Sequence, residues 1–316
     1  MKSLVAVVSG EPNSINSEII IKAWKKNKNI FIIGNYNNLQ KQVIKLGLNT
    51  SLLKIANFDD IKKNKKLNVL DEPLKSKSIF NIKQPELKNY IFNSFDKAHY
   101  LAINKKISGF INASIDKKIF NNKYYGVTEY LSEKNNVKNK EVMMIYNKKL
   151  SVVPLTTHIK IKDVTKRITS DLIIKKIITL NKYYSKLFKK KPRIAILGLN
   201  PHNSENKTDS IENKIIKPSI NKLRKYKINI AGPFPADTAF NKKNINFYDV
   251  IVGMYHDQVL APFKALFNYD AINITLGLKY LRLSPDHGVA RDIIGLNKAN
   301  PQSLINAIDF LSKIDD

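Results

Sequence analysis

The stretch Val250-Ile251-Val252-Gly253-Met254-Tyr255-His256 is a short apolar run that ends in polar residues, and the chain repeats this form several times. Similar runs occupy residues 5–8, 30–33, 152–155 and 194–197. Longer amphipathic segments lie between them, and one predicts a helix with a single apolar face made of Ile211, Ile215, Ile216, Ile220 and Leu223. Short buried strands that alternate with helices are typical of an α/β fold with a largely parallel sheet covered on both faces.

The length and composition favour a globular protein with more than one core. The chain has 316 residues, of which 43% are hydrophobic and 25% are charged, and a chain of this length usually divides into two domains. No apolar run reaches the roughly 18 residues of a membrane-spanning helix, and the apolar stretch at the start is too short for a signal peptide. Cysteine is absent, which excludes disulfides and thiolate zinc sites. We therefore expect a cytoplasmic enzyme without a membrane partner.

The net charge of +28 is the strongest argument for a nucleic-acid-binding protein. Only five of the 54 basic residues are Arg, however, and Arg is the side chain that base and phosphate recognition favours. The lysines are scattered in short groups without interleaved aromatic residues. We therefore expect no nucleic-acid partner, although a basic polyanion-binding protein on an inactive enzyme scaffold stays open as an alternative. The positive electrostatic potential that this net charge produces would also attract an anionic substrate such as a phosphate ester.

Three of the five histidines stand just past the carboxyl ends of predicted strands. They are His158, His202 and His256. Ligands of open α/β sheets bind outside the carboxyl ends of the strands, so three side chains delivered to one such edge could converge. Three neutral imidazoles with open positions are a usual protein shell for a catalytic metal ion. The alternative, that each His only caps its strand or hydrogen-bonds a loop, stays open on spacing alone.

Other sequence signatures are absent or weak. The chain contains no glycine-rich dinucleotide fingerprint, no P-loop and no G-x-S-x-G nucleophile motif. Lys264 and Arg282 are cations in otherwise fairly apolar stretches. They are candidates for holding a phosphate, with two solvated side chains as the alternative.

Six segments stand in an order and spacing that is specific to one enzyme family. They are Thr156-Thr157-His158, Leu197-Gly198-Leu199-Asn200-Pro201-His202, Gly232-Pro233-Phe234-Pro235-Ala236-Asp237-Thr238, Met254-Tyr255-His256-Asp257-Gln258, Asn273-Ile274-Thr275-Leu276-Gly277-Leu278 and Arg282-Leu283-Ser284-Pro285-Asp286-His287-Gly288. Together they resemble the 4-hydroxythreonine-4-phosphate dehydrogenase family of vitamin B6 biosynthesis. The last block, residues 287–301, is also similar to the adenosine-binding loop of isocitrate and isopropylmalate dehydrogenases.

The resemblance implies a fold and an assembly. The fold would be two α/β/α domains with a largely parallel, partly mixed sheet and an active-site cleft between them, as in isocitrate and isopropylmalate dehydrogenases. Residues 1–125 and 265–316 would form the first domain with the cofactor loop. Residues 126–264 would form the second domain, with the metal ligands and the dimer interface. Members of the family are homodimers with the active site at the subunit interface, so the three histidines need not come from one chain.

The resemblance also implies roles for individual residues. The family's divalent-metal ligands are matched by His158, His202 and His256. The bound metal could be zinc, magnesium or cobalt. The positions that hold the phosphorylated substrate are matched by Thr128, Lys264, Asn273 and Arg282. The cofactor loop is matched by His287 and Asp292. A carboxylate near the adenosine ribose favours NAD over NADP, because it suits a free hydroxyl and repels a phosphate.

The implied reaction is the oxidation of 4-phosphooxy-L-threonine with decarboxylation to 3-amino-2-oxopropyl phosphate. NAD would take the hydride from C3, and the metal would act as a Lewis acid at the C3 hydroxyl. Asp237 and Asp257 are the carboxylates nearest to the matched motifs. One of them would take the hydroxyl proton and the other would orient a metal ligand, and the sequence leaves open which does which.

The chain also departs from the family pattern. Gly126-Val127-Thr128-Glu129 stands where the family usually has Gly-His-Thr-Glu, so that a valine replaces a substrate-contacting imidazole. The first loop, residues 10–18, lacks two common glycines, and Ser114 stands where a proline is usual. These departures leave open a related dehydrogenase that acts on another phosphorylated hydroxy acid.

Overall fold

The computed structural model describes residues 4–62, 65–121, 123–124, 126–137, 140–268 and 270–314. In these residues the strands are β1 (Val5–Val8), β2 (Ile30–Gly34), β3 (Leu52–Ile55), β4 (Leu67–Asp71), β5 (Gly109–Asn112), β6 (Val142–Tyr146), β7 (Ser151–Pro154), β8 (Ile194–Leu197), β9 (Ile230–Phe234), β10 (Val250–Gly253), β11 (Ile272–Leu276) and β12 (Leu281–Pro285). The helices are α1 (Asn16–Lys26), α2 (Tyr36–Lys45), α3 (Gln84–Ile103), α4 (Val127–Lys134), α5 (Ile161–Arg167), α6 (Ser170–Phe188), α7 (Lys217–Lys225), α8 (Ala236–Ala239), α9 (Lys242–Phe247), α10 (His256–Phe267) and α11 (Gln302–Ile314).

The chain divides into two compact units. The first comprises Met1–Gly126 and Lys279–Asp316, and the second is Val127–Leu278. The sequence placed residues 265–278 in the first domain, whereas they belong to the second unit. The reason is a long-range pairing that no local pattern reveals, since β11 runs antiparallel to β6. Residue 125, the last of the predicted first segment, lies outside the described residues.

The first unit contains a parallel sheet. Its strand order is β3-β4-β2-β1-β5-β12, and β1, β2, β3, β4, β5 and β12 pair in parallel throughout. Strands β1, β2 and β5 are buried along their whole length, as expected of strands covered on both faces. The strands predicted at residues 5–8 and 30–33 are confirmed as β1 and β2.

The second unit contains a mixed sheet in the order β11-β6-β7-β10-β8-β9. Strands β7, β10, β8 and β9 are parallel, whereas β6 runs antiparallel to both of its neighbours. Apolar side chains of β7, β8, β10 and α10 pack together in its core, among them Val152, Leu197, Ile251 and Phe263. The predicted α/β class with a largely parallel, partly mixed sheet is confirmed. No helix within the described residues combines the length and the apolar character needed to cross a membrane.

The helix predicted from Ile211 onward begins differently from the prediction. Glu212–Ile216 forms a π-helical turn that leads into α7. A π turn closes its hydrogen bonds over five residues instead of four. Ile216 is buried as predicted, but Glu212 is buried as well, with no exposed surface. A carboxylate in such a place requires hydrogen-bond donors around it, and these lie in the candidate site.

Asp249 ties together the amino ends of β8 and β10. Its Oδ2 accepts hydrogen bonds from the backbone N–H of Arg193 at 2.9 Å and from the Arg193 Nε at 3.1 Å. Its Oδ1 accepts a hydrogen bond from Lys190 Nζ at 2.9 Å. Burial raises the pKa of Asp249, but these hydrogen bonds outweigh burial and lower the pKa to about 2.

We expect Asp249→Asn to lower the free energy of unfolding at neutral pH by roughly 1–2 kcal/mol, after allowance for the solvent around its partners. The folded pKa lies below the ordinary value of 3.8, so the stabilisation is complete above that value and is lost as the pH falls towards 2. Urea denaturation of both proteins at about pH 7 and about pH 3 measures the difference. If the variant loses the same unfolding free energy at both pH values, the stabilisation does not come from the ionised Asp249 carboxylate.

Candidate active site

Three histidines lie at the carboxyl ends of three neighbouring parallel strands in the second unit. Strand β10 pairs in parallel with β7 on one side and with β8 on the other, so the three carboxyl ends share one edge of the sheet. His158 follows β7, His202 lies in the turn after β8, and His256 begins α10 after β10. The ring centroids of His158 and His256 are 5.8 Å apart. The structure therefore brings these two imidazoles together.

Both of these imidazoles face a carboxylate on their Nδ1 side. His256 Nδ1 lies 2.7 Å from Asp257 Oδ1, and His158 Nδ1 lies 3.9 Å from Glu129 Oε1. The contact with Asp257 is short enough for a hydrogen bond, which favours the His256 tautomer with the proton on Nδ1 and leaves Nε2 as the donor to a metal. The sequence assigned no role to Glu129, because its partner is 29 residues away in another element and no local pattern links them.

His202 does not join this pair. Its side chain is exposed, and no group of three His, Cys, Asp or Glu side chains in the described part of the chain is arranged to hold a metal ion. His202 opens a turn of five consecutive non-glycine residues, ending at Asn206, whose φ angles are 48°, 54°, 53°, 50° and 59°. The left-handed region costs an L-residue roughly 1–2 kcal/mol, so such a turn requires compensating contacts.

Glu212 supplies several of these contacts. Its Oε1 accepts hydrogen bonds from the backbone N–H groups of Leu199 at 2.9 Å and Asn200 at 2.8 Å. Its Oε2 accepts a hydrogen bond from the Ser204 hydroxyl at 3.0 Å. Burial raises the pKa of Glu212, but the hydrogen bonds from Asn200 and Ser204 outweigh burial and hold the pKa below its usual range. The carboxylate is therefore charged and lies beneath the turn that carries His202.

Gln258 connects the carboxyl ends of β8 and β10. Its Nε2 donates a hydrogen bond to the carbonyl of Gly198 at 2.7 Å, and its Oε1 accepts one from the backbone N–H of Met254 at 2.7 Å. The Thr156 hydroxyl donates to the carbonyl of Met254 at 2.7 Å, which adds the end of β7. Gln258 and Thr156 belong to the sequence motifs, but only the structure reveals that they fix the three strand ends together.

The candidate substrate residues of the second unit lie on three elements. Thr128 is the second residue of α4, after the buried Val127, and Lys264 is a half-buried residue of the last turn of α10. Asn273 lies on β11, and its Oδ1 is buried without a hydrogen-bond partner in the described residues. A buried amide oxygen of this kind is suited to receive a donor from a ligand.

Arg282 lies on β12 of the first unit. Its side chain is 4% exposed, and its Nε donates a hydrogen bond to Asn112 Oδ1 at 2.6 Å. The alternative that Arg282 is a solvated side chain is therefore excluded.

The predicted cofactor residues lie on the loop between β12 and α11. Asp292 is exposed in a short 3-10 turn, and His287 is half-buried. His287 Nδ1 donates a hydrogen bond to the carbonyl of Gly288 at 2.9 Å, whereas its Nε2 is buried without a partner in the described residues. Burial lowers the pKa of His287, against the opposite effects of this hydrogen bond and of Asp286, so the imidazole is neutral at physiological pH.

Two buried carboxylates from the start of the chain fix this loop. Arg291 donates hydrogen bonds to Asp116 Oδ2 at 2.7 Å and to Glu11 Oε1 at 3.3 Å. Burial raises the pKa of Glu11, while the Asp116 backbone N–H and Arg291 lower it to a smaller extent. Further along the loop, Glu18 Oε1 accepts a hydrogen bond from the backbone N–H of Ala299 at 2.6 Å. The loop is thus held at two points by α1 and the turn before it.

The comparisons with known proteins identify the family. Residues 26–311 match the family described as Pyridoxal phosphate biosynthetic protein PdxA. The chain belongs to this family. A PdxA relative from Sulfurihydrogenibium sp., a 4-hydroxythreonine-4-phosphate dehydrogenase, is 37% identical over 97% of this chain and 96% of its own length. A D-threonate 4-phosphate dehydrogenase from Pectobacterium atrosepticum is 30% identical over 99% of this chain and 100% of its own length.

A solved structure shows the same fold. The 4-hydroxythreonine-4-phosphate dehydrogenase of Klebsiella pneumoniae superposes with a TM-score of 0.87 at 28% identity, over 99% of this chain and 100% of that one. Since its PdxA relatives are named dehydrogenases, the chain is an oxidoreductase, and its family places it in pyridoxal phosphate biosynthesis. The predicted family and enzyme class are confirmed.

We expect Gln258→Ala to lower the free energy of unfolding by about 2–4 kcal/mol, because it leaves the buried Met254 N–H and the Gly198 carbonyl without their partner. Gln302 is a matched control, since its exposed amide donates a hydrogen bond to Asn306 within its own helix. Gln302→Ala is expected to change stability by less than about 0.5 kcal/mol. Urea denaturation of both variants tests this, and equal losses would contradict the role of Gln258.

Proposed function

We propose that this chain oxidises 4-phosphooxy-L-threonine with NAD and a divalent metal, and decarboxylates the product to 3-amino-2-oxopropyl phosphate. The observation that carries the proposal is the pair of imidazoles, His158 and His256, whose ring centroids are 5.8 Å apart at the carboxyl edge of a parallel sheet. Asp257 hydrogen-bonds the Nδ1 side of His256, which is the usual arrangement behind a metal-binding histidine, and the Glu129 carboxylate lies 3.9 Å from His158 Nδ1. The membership of the PdxA family supports the same reaction.

The residues fit a divalent metal in their donor chemistry. Imidazole nitrogens favour zinc or cobalt over magnesium, which prefers oxygen ligands. Since no three-residue group is complete in the described residues of one chain, we place His202 as the third ligand in a site shared by two copies. A homodimer with its active site at the subunit interface follows from this proposal. When bound, the metal would supply Lewis acidity at the C3 hydroxyl of the substrate.

The loop of His287 and Asp292 fits the adenosine part of NAD. His287 offers a buried Nε2 without a partner, and the exposed Asp292 carboxylate suits a ribose 2′-hydroxyl rather than a 2′-phosphate. Glu11 and Glu18 support this loop by accepting hydrogen bonds from Arg291 and from the Ala299 N–H. NAD would accept the hydride from C3 of the substrate.

The two candidate carboxylates take different roles in this proposal. Asp257 Oδ1 is engaged with His256 Nδ1 at 2.7 Å and therefore orients that imidazole. Asp237 is exposed in the first turn of α8, and we assign it as the base that takes the proton from the C3 hydroxyl. Loss of this proton and of the hydride leaves a β-keto acid, which then releases its C1 carboxylate as CO2.

Lys264 and Arg282 supply positive charge for the substrate phosphate, and Thr128 and Asn273 supply neutral contacts. The net charge of +28 would favour the approach of such an anion. A second substrate has specific support, because a relative of this chain is a D-threonate 4-phosphate dehydrogenase and Val127 removes an imidazole from the site. That substrate carries a C2 hydroxyl in place of the C2 amine. The cytoplasmic location stays a prediction.

We expect NADH formation from 4-phosphooxy-L-threonine in the presence of Co²⁺ or Zn²⁺, at a higher kcat/KM than from D-threonate 4-phosphate. His202→Ala is expected to remove most of the bound metal and to lower kcat/KM by at least about 100-fold. Metal analysis and absorbance at the NADH band measure the two effects. Unchanged metal content in His202→Ala would refute the ligand assignment, and a preference for D-threonate 4-phosphate would establish the second substrate.

The phosphate contacts are tested by Lys264→Ala and Arg282→Ala. A charged partner lost from a buried ion pair costs on the order of 2–5 kcal/mol, so kcat/KM is expected to fall by about 30-fold or more. Lys175→Ala is the control, because Lys175 is an exposed lysine of α6 that pairs only with Asp171 four residues earlier. Val127→His is expected to lower the KM if the new imidazole reaches the phosphate. Values of kcat/KM within about threefold of the parent in both cation variants would show that these residues do not hold the phosphate.

A further inference from the structure

We infer that Glu212 is a positioning residue for His202, because its buried carboxylate holds the left-handed turn on which the imidazole stands. The inference rests on the proposed role of His202 as a metal ligand. Glu212 touches neither substrate nor cofactor in this account. It acts through the backbone on both sides of His202.

The turn is a conformation that the chain does not adopt without support. Residues 202–206 all have φ between 48° and 59°, and none of them is glycine. His202, Asn203 and Asn206 tolerate this region better than other residues do, but Ser204 and Glu205 do not share that property. A change that frees the turn would therefore let it relax to ordinary right-handed or extended backbone and would move the imidazole.

Glu212 hydrogen-bonds residues that lie both before and after His202 in the chain. The backbone N–H groups of Leu199 and Asn200 reach Oε1 from before the histidine, and the Ser204 hydroxyl reaches Oε2 from after it. The Asn200 amide also donates to both oxygens, at 3.3 Å each. One rigid carboxylate thus sets the distance between the two flanks of the turn.

The segment that bears Glu212 gives the turn a fixed base. Asn213 Nδ2 donates hydrogen bonds to the carbonyls of Asn206 and Lys207, both at 2.7 Å. Lys217 Nζ donates to Asn206 Oδ1 at 2.9 Å. The π turn and α7 therefore hold the far end of the left-handed turn, while Glu212 holds its start and its middle.

A carboxylate is required at this position, and an amide is a poor replacement. All of the groups that approach Glu212 are donors, and an ionised carboxylate accepts at both oxygens. A glutamine accepts at one oxygen only, and its NH2 group would oppose the Asn200 amide. Glu212→Gln preserves the size of the side chain and so perturbs the turn without emptying the core.

The test compares Glu212→Gln and Glu212→Ala with Asp249→Asn. Asp249 is a suitable control, because it is a half-buried carboxylate that accepts several hydrogen bonds from Arg193, the residue before β8, at the other end of that strand. The metal-free parent and variants are titrated with Co²⁺ in a calorimeter, and amide hydrogen exchange is followed over residues 199–206. The KM for NAD is measured as a third readout.

We expect Glu212→Gln to weaken Co²⁺ binding by about 10-fold or more and to accelerate exchange in residues 199–206, with the KM for NAD within about twofold of the parent. Glu212→Ala is expected to have the larger effect, and Glu212→Gln suffices if the alanine variant does not fold. Asp249→Asn is expected to lose stability and keep its Co²⁺ affinity. Co²⁺ affinity that is unchanged in Glu212→Gln would overturn the inference.

A parallel titration of His202→Ala separates this inference from the proposed function. If His202→Ala binds Co²⁺ as the parent does, the metal assignment fails, and Glu212 is then judged by hydrogen exchange alone. Accelerated exchange confined to residues 199–206 in Glu212→Gln would still support its hold on the turn. Exchange that is unchanged there would refute it.

Discussion

The parallel pairing of β7, β10 and β8 is the constraint on which the candidate site of the second unit depends. Parallel strands place their carboxyl ends at one edge, and each of these three strands delivers a histidine to that edge. Backbone pairing continues past the ends of β7 and β10 through the Leu155 and Thr156 N–H groups, and other backbone groups at this edge are satisfied by side chains. Gln258 and Thr156 do so with three hydrogen bonds that link all three strand ends. The histidines therefore stand on a rigid base.

The sequence predicted the strands and the edge, because both follow from local patterns. Apolar runs of four or five residues mark buried strands, and the polar residue that ends each run marks its carboxyl end. What the sequence could not supply was pairing over long distances. The antiparallel contact of β11 with β6 moved residues 265–278 into the second unit, and the ion pair of Glu11 with Arg291 joins residues 280 positions apart. Neither leaves a periodic trace in the chain.

Glu212 was missed for a different reason. On an ideal α-helix Glu212 lies on the predicted apolar face, because it is four residues before Ile216 and eleven before Leu223. Its burial therefore agrees with the helical spacing, but its charge requires donors that the spacing does not reveal. Those donors come from Leu199, Asn200 and Ser204, in and beside a left-handed turn that no simple pattern encodes. The sequence alone therefore gave no sign of the role of this carboxylate.

The excess of positive charge and the placement of the buried acids have a common physical basis. Loops expose backbone N–H groups that need acceptors, and lysine, with donors only, cannot provide them. In a chain with 54 basic and 26 acidic residues, Glu11, Glu18 and Glu212 are each at most 1% exposed, and each accepts a backbone N–H from a loop that carries candidate site residues or supports one. A lysine at an exposed position has little effect on the stability of the fold, because its ammonium group stays in water. Positions beneath the loops cannot, because a lysine there would leave the N–H groups unpaired and bury a charge beside them. A strongly basic composition is therefore compatible with these three buried glutamates. Their hydrogen bonds mark the loops that the fold holds in place.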